Sequence, residues 1–262
     1  MVASGVALPE VEYRFPIERV AGTGGMGTVY RALDRTTGEP VAIKMLRNAE
    51  RDLAGRFARE IRVLAAVRHP GIVRYIADGQ TPSGELWLAM EWLEGESLSQ
   101  RLERKGLTAS ESLGLARRLA EALGAAHERG IVHRDVKPSN LFLPDCDLER
   151  IKVLDFGVAR HVDASRAVTR TGMMIGTPGY MAPEQVRGDR EVTARVDVFA
   201  VGCVLFECLT GRSPFAGETV MSVLAKILLE DAPRLAELRP DLPDALDELL
   251  ARILARQPEL RP

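Results

Sequence analysis

Apolar and polar positions along this chain follow two rhythms, and the change comes near Gly95. Before it, short β-branched and aromatic runs stand between Gly and Pro punctuation: Val29-Tyr30, Val41-Ala42-Ile43, Ile72-Val73 and Leu86-Trp87-Leu88-Ala89-Met90. Such runs predict strands joined by turns. One helix is predicted among them, because Leu53, Phe57, Ile61 and Leu64 recur at helical spacing. After Gly95 the period is mostly that of a helix. Leu115, Leu119, Leu123 and Ala126 predict one buried helical face, and Leu246, Leu249, Leu250 and Ile253 another. Val198, Val201, Val204, Leu205 and Leu209 leave little polar face, so their helix is predicted to be central and buried. Pattern alone implies an α+β chain with a small β-rich lobe followed by a larger helical one.

Composition narrows the class. With 262 residues, 46% hydrophobic and 27% charged, the chain suits one domain or two tightly joined lobes, neither disordered nor fibrous. A formal net charge of −2 leaves no basic excess to track a nucleic-acid backbone, so no nucleic-acid partner is expected. The longest apolar stretch, residues 196–209, is interrupted by Asp197 and Glu207 and reads as a buried helix, so no membrane contact is expected within this chain. Residues 1–10 carry neither the basic start nor the apolar run of a signal peptide. Cys146, Cys203 and Cys208 fit no metal spacing and no disulfide framework, which makes a reducing cytosol the simplest setting. The helical pattern runs to Arg261 and Pro262 without a tail, as expected of a domain excised from a longer protein.

Candidate chemistry then appears in order along the chain. Gly22-Thr23-Gly24-Gly25-Met26-Gly27 has the G-x-G-x-x-G form that lets backbone amides approach phosphates without Cβ obstruction. In a dinucleotide-binding unit the third glycine opens a helix, but here Thr28-Val29-Tyr30 continues as a strand, so the loop is predicted to be a hairpin lid. Lys44 follows Gly27 by seventeen residues at the end of Val41-Ala42-Ile43. Alone it reads as a solvated strand lysine; the loop at this spacing turns the reading towards phosphate binding. Glu60, bordering the apolar face of the predicted helix, is the carboxylate expected to hold it.

The most specific stretch is His133-Arg134-Asp135-Val136-Lys137-Pro138-Ser139-Asn140, followed fifteen residues after Asn140 by Asp155-Phe156-Gly157, which the predicted strand Ile151-Lys152-Val153-Leu154 precedes. Asn140 and Asp155 offer the hard oxygen ligands that Mg²⁺ prefers. With these motifs in sequence, the chain from about Tyr13 to Pro262 resembles the protein kinase family, especially the bacterial serine/threonine kinases of eukaryotic type. The resemblance implies a bilobal kinase fold: a flexible leader over 1–12, an N-lobe over 13–93 and a C-lobe over 94–262. It implies that Gly22, Thr23, Gly24, Gly25, Met26 and Gly27 cover the phosphates of ATP and that Lys44, oriented by Glu60, holds them. Asp135 is implied to orient the acceptor hydroxyl with Lys137 near the γ-phosphate, while Asn140 and Asp155 bind Mg²⁺, for which Mn²⁺ could substitute. Val29, Ala42 and Phe142 would sandwich the base, Met90 would be the gatekeeper, and the backbone of Glu91 and Leu93 the hinge.

Lys137 with Pro138, and Gly176-Thr177-Pro178-Gly179-Tyr180-Met181-Ala182-Pro183-Glu184, resemble the serine/threonine branch, with Thr177 reaching back to Asp135 and Lys137. By the same resemblance Glu184 pairs with Arg261, and Asp197 anchors the catalytic-loop backbone. Arg134 beside Asp135 implies a phosphorylated activation loop, with Thr169 or Thr171, eight or six residues before Thr177, as the autophosphorylation site. Protein substrates, the chain itself as substrate, a transient homodimer and a cytoplasmic domain of a membrane-anchored protein complete what it implies. A scaffold with degraded catalytic positions is opposed by intact Lys44, Asp135, Asn140 and Asp155. A small-molecule phosphotransferase is opposed by the segment 176–184, the peptide ledge of protein kinases. No function is assigned to Pro144-Asp145-Cys146-Asp147, which lengthens the connection before the Asp155 strand.

Overall fold

The β-rich runs before Gly95 pair into an antiparallel sheet in a computed structural model of the chain, which describes residues 9–24, 27–46, 65, 67–156, 178–189 and 191–262. The chain divides into two units, Met1–Arg68 with Val73–Leu93, and His69–Ile72 with Glu94–Pro262. The first contains α1 (Pro9–Arg14), β1 (Ile17–Gly24), β2 (Gly27–Leu33), β3 (Pro40–Leu46), β4 (Tyr75–Gln80) and β5 (Leu86–Glu91), with sheet order β1-β2-β3-β5-β4.

Alternation along β3 sorts this sheet into two faces. Val41, Ile43 and Met45 pack with Trp87, Ala89, Val11 and Phe15 in one hydrophobic cluster. Ala42 and Lys44 take the opposite face, and both are buried as well. Of the leader expected over 1–12, residues 1–8 lie outside the described residues, while 9–12 are corrected by α1. Val11 is completely buried and Phe15 nearly so, and Arg14 donates to both carboxylate oxygens of Asp34 at 3.0 and 2.8 Å. Apolar burial and this ion pair order the chain from Pro9 onward. The helix predicted through Leu53 and Leu64, with Glu60, lies outside the described residues.

The second unit contains β6 (Gly95–Ser97), α2 (Leu98–Arg104), α3 (Ala109–His127), β7 (Leu141–Pro144), β8 (Lys152–Val153), α4 (Pro183–Arg187), α5 (Arg195–Thr210), α6 (Val220–Leu229), α7 (Leu235–Leu238) and α8 (Asp244–Ile253). Thr108 and Glu111 form a reciprocal capping box that starts α3, and Leu115, Leu119, Leu123 and Ala126 are buried along it. Helix α5 is buried on nearly every side, and Phe199, Cys203, Leu205, Phe206 and Leu209 sit at the centre of the helical core. Burial raises the thiol pKa values of Cys203 and Cys208, the latter to about 12, so both are unreactive core residues.

Three local expectations need correction. On α8, Leu246 and Leu250 are buried and Leu254 continues their stripe, whereas Leu249 is 40% exposed; one step from Leu250 turns a side chain by about 100°, off the apolar face. Ile72-Val73 forms no strand: Ile72 makes one isolated parallel bridge to Val153. The strand expected over 151–154 is reduced to Lys152–Val153, because Leu154 donates its N–H to the Asn140 carbonyl at 2.8 Å and leaves the ladder. Pro144 to Asp147 is a tight turn with positive φ at Asp145 (55°) and Cys146 (59°), closed by Asp147 N–H on the Pro144 carbonyl at 3.0 Å.

Candidate active site

In the sheet unit, hairpin register brings the predicted nucleotide residues together. Strands β1 and β2 pair with Gly24 opposite Gly27, so the glycine motif closes a hairpin whose two turn residues, Gly25 and Met26, lie outside the described residues. Gly27 has φ 146°, and a Cβ there would meet the Met45 carbonyl oxygen at 1.8 Å. Among the described residues, by contrast, no atom lies within 4 Å of where a Cβ on Gly22 would be. The third glycine therefore satisfies the sheet, while Gly22 leaves backbone that another molecule can approach. Val29 pairs with Lys44, and Ala42 with Met90, which sets these four side chains on the face opposite the cluster of Val41 and Ile43. Lys44 keeps only 7% of its surface exposed. The Glu91 N–H is committed to the Arg74 carbonyl at 2.9 Å, and Leu93 follows β5, half-buried.

In the helical unit, residues 133–137 lie in irregular backbone held by side chains from distant positions, and a single 3₁₀ turn, Pro138–Asn140, follows. Asp197, at the start of α5 and without exposed surface, accepts the N–H groups of His133 and Arg134, each at 2.8 Å, and His127 Nε2 at 2.7 Å. His133 is fully buried; Asp135 N–H donates to its Nδ1 at 3.2 Å, so Nε2 carries the proton and donates to the Leu154 carbonyl at 2.8 Å. Its ring packs on Phe156 at 4.7 Å between centroids. Asp135 Oδ2 accepts from Lys137 Nζ at 2.9 Å and from Asn140 Nδ2 at 3.1 Å, and Asn140 Nδ2 also donates to the Asp135 carbonyl at 2.8 Å. One carboxylate is thus aligned by an ammonium and an amide of its own loop, inside a nearly closed environment where such contacts are stronger than in water. Arg134 (φ 66°) and Asp155 (φ 50°) both hold left-handed backbone, a conformation that costs non-glycine residues energy and persists where surroundings impose it.

Asn140 contributes the carbonyl that receives Leu154 N–H, so the residue before Asp155 is fastened to the loop. Among the described residues both side-chain bonds of Asn140 use Nδ2, and its amide oxygen is the atom suited to a cation. Among the described residues no group of three or more His, Cys, Asp or Glu could hold a metal by itself. An amide oxygen from Asn140 and a carboxylate from Asp155 would suit Mg²⁺, an ion that completes its shell with phosphate oxygens and water. Phe142 stands in β7, half-buried, opposite Ser97 and Lys152.

The segment after position 177 is tied into the same unit. Tyr180 donates its hydroxyl to Glu207 Oε2 at 2.5 Å, and burial raises the Glu207 carboxyl pKa above the usual carboxylate range. Glu184 receives Arg261 Nη1 and Nη2 at 2.7 and 2.9 Å; both are buried, and Arg261 also donates to the carbonyls of Ala255, Arg195 and Arg256. The guanidinium stands 4.9 Å from the Phe199 ring centroid. Gly157, Thr169, Thr171 and Thr177 lie outside the described residues.

Residues 15–262 match the protein kinase domain family. The chain belongs to that family. Among its relatives, the serine/threonine-protein kinase Pkn3 of Myxococcus xanthus is 36% identical over 264 residues, 96% of this chain and 48% of that protein. The serine/threonine-protein kinase PknA of Mycobacterium tuberculosis is 38% identical over 256 residues, 95% of this chain and 58% of the relative. The kinase domain thus spans about half the length of the curated relatives it matches. A crystal structure of Rad53 1-466 in complex with AMP-PNP superposes with a TM-score of 0.77 at 26% identity, covering 95% of this chain and 62% of that one. A β-sheet unit followed by a helical unit is the protein kinase fold.

Sequence reasoning missed three residues of this kinase domain that the structure ties to the site: His127, Gln185 and Glu207. Each acts on a partner far away in sequence, and no local pattern announces the partner. Gln185 alone carried a signal, standing three residues after the N-cap Ala182 of a Pro-led helix, where a Glu or Gln commonly folds back.

Proposed function

We propose that this kinase domain transfers the γ-phosphate of ATP to serine and threonine hydroxyls of proteins. One observation carries the reading: Asp135 Oδ2 is held by Lys137 Nζ at 2.9 Å and Asn140 Nδ2 at 3.1 Å, in a loop pinned by Asp197. The names of the 36–38% identical relatives and the AMP-PNP bound to the Rad53 structure support the same chemistry. Asp135 orients the acceptor hydroxyl and takes its proton as the new P–O bond forms and the bond from the γ-phosphorus to the β–γ bridging oxygen breaks, releasing ADP, and Lys137 places positive charge beside the group in transit. The glycine hairpin and Lys44, oriented by Glu60, serve the phosphates of ATP. Val29, Ala42, Met90 and Phe142 serve the adenine, with the backbone of Glu91 and Leu93. Asn140 and Asp155 hold Mg²⁺, or Mn²⁺ in its place, which when bound neutralises and orients the phosphates. Because the transition state is loose and highly charged, alignment and charge do most of the work.

Thr177 keeps small hydroxyl acceptors close to Asp135. Thr169 or Thr171 is autophosphorylated, in trans through a transient homodimer, and the added charge of about −2 draws in Arg134. The domain works in the cytoplasm, on a protein that a segment outside this chain tethers to the membrane; no helix among the described residues is long and apolar enough to cross one.

Incubation with Mg²⁺-ATP and a generic basic protein, followed by phosphosite mapping, tests the reading, with Asp155→Ala as control. Phosphoserine and phosphothreonine on the substrate, absent with the control, are expected. Transfer only to tyrosine, only to small molecules such as aminoglycosides or choline, or to nothing overturns it. Absence of phosphate from both Thr169 and Thr171 removes the loop sites and leaves the transfer reading standing.

A further inference from the structure

Gln185 joins the helix after the substrate-side segment to the peptide directly before Asp135. Its Oε1 accepts the Ala182 N–H at 3.0 Å, and its Nε2 donates to the Arg134 carbonyl at 2.9 Å, across 51 positions of sequence. The first bond fixes which end of the amide is oxygen, so the second must be a donor to a carbonyl. Glutamine has both ends and the reach. Glutamate would keep the bond to Ala182 but set a negative oxygen against the Arg134 carbonyl.

The Arg134 peptide needs such a hold. Arg134 has φ 66°, and its N–H is donated to Asp197 Oδ1 at 2.8 Å. On the other side of its carbonyl, the Asp135 N–H is donated to His133 Nδ1 at 3.2 Å. The peptide plane between Arg134 and Asp135 is therefore held at its N–H by His133 and at its carbonyl by Gln185. Rotation of that plane would turn the Cα–Cβ direction of Asp135 and with it the carboxylate. Helix α4, which carries Gln185, starts immediately after residues 178–182, where Ala182 is completely buried.

We propose that Gln185 is a positioning residue for phosphoryl transfer: it sets the plane of the Arg134–Asp135 peptide and couples the orientation of Asp135 to the placement of the 178–182 segment. The proposal rests on the kinase reading above. Its effect falls on the transfer step rather than on nucleotide affinity, because among the described residues Gln185 hydrogen-bonds the loop and its own helix start.

The test measures kcat and the KM for ATP with a basic protein substrate, alongside thermal unfolding, for wild type, Gln185→Ala and Gln185→Glu. Gln185→Ala is expected to lower kcat by about tenfold, as loss of one preorganised hydrogen bond does, with the KM for ATP within about twofold. Gln185→Glu retains the Ala182 bond and adds a carboxylate in the first turn of α4, so its melting temperature stays near wild type while kcat falls at least as far. Protonation of the carboxyl introduced by Gln185→Glu would restore a donor to the Arg134 carbonyl, so the kcat of this variant relative to wild type should climb as pH falls. A purely structural role would not produce that rise. Inactive wild type overturns the kinase reading. Active wild type with either variant within twofold in kcat, or a flat pH ratio for Gln185→Glu, overturns this proposal.

Discussion

The Lys44 face of the sheet and the loop around Asp135 solve one problem, fixing a few polar side chains, in opposite ways. In the sheet, Lys44 owes its place to register. It pairs with Val29 on one side and Leu88 on the other, and the ladder continues through Ala42 and Met90. The backbone bonds that position it are those that make the sheet. In the loop, no ladder exists, and Asp135 owes its place to groups supplied by Asp197, His133, Asn140 and Gln185. A regular element positions side chains by repetition. Irregular backbone requires a dedicated partner for each buried polar group, since an unsatisfied one costs on the order of 1–3 kcal/mol.

The sharpest break in this comparison is Asp135→Asn. It should lower kcat by about a thousandfold, equivalent to about 4 kcal/mol of transition-state stabilisation, and leave the melting temperature nearly unchanged. Steady-state kinetics and calorimetry on one preparation separate the two effects; a parallel loss of fold would show that Asp135 is structural.

Next comes Asp197→Ala, which removes the loop's support without touching the reacting groups. Two buried backbone N–H groups lose their acceptor, so denaturant unfolding should show a loss of about 3 kcal/mol, with activity falling further than the unfolded fraction explains. Unchanged stability would mean that water replaces the carboxylate.

Gly27→Ala performs the equivalent operation on the sheet. Its positive φ and the Met45 carbonyl should cost about 2 kcal/mol or more, with the KM for ATP rising more than kcat falls. A variant equal to wild type in both would return the third glycine to the phosphate-approach role alone.

The smallest expected effect concerns Asp34, whose carboxyl pKa is held below its ordinary value first by hydrogen bonding to Arg14. A lowered folded-state pKa means stability that is present above the unfolded pKa and lost as pH falls through the folded one. The melting-temperature gap between wild type and Asp34→Asn should therefore be largest near about pH 7 and narrow towards about pH 3. A gap independent of pH would assign the contribution to hydrogen bonds to the neutral side chain instead.

These contrasts follow what could be read in advance. The strand residues Val41 to Met90 and the buried stripes of α3 and α5 were legible because burial repeats with the period of the element. Leu249 was misassigned because four nearby leucine and isoleucine positions overfill one stripe, and only packing chooses among them. Residues 9–12 were misread as leader because Val11 looks like an isolated apolar residue until Phe15 and the Trp87 side of the sheet are present to cover it.

Residue identities and their order were enough to state the chemistry available: a glycine hairpin, one strand lysine, and a loop with Asp135, Lys137 and Asn140 ahead of Asp155. The reaction class came through the resemblance to protein kinases that these motifs carry. What holds these groups in place became visible only in the folded chain. His127 on Asp197, Gln185 on Arg134 and Tyr180 on Glu207 join positions 27 to 70 residues apart. Such pairs satisfy buried polar groups wherever folding strands them, a requirement that belongs to the packed interior and leaves no periodic trace in the chain.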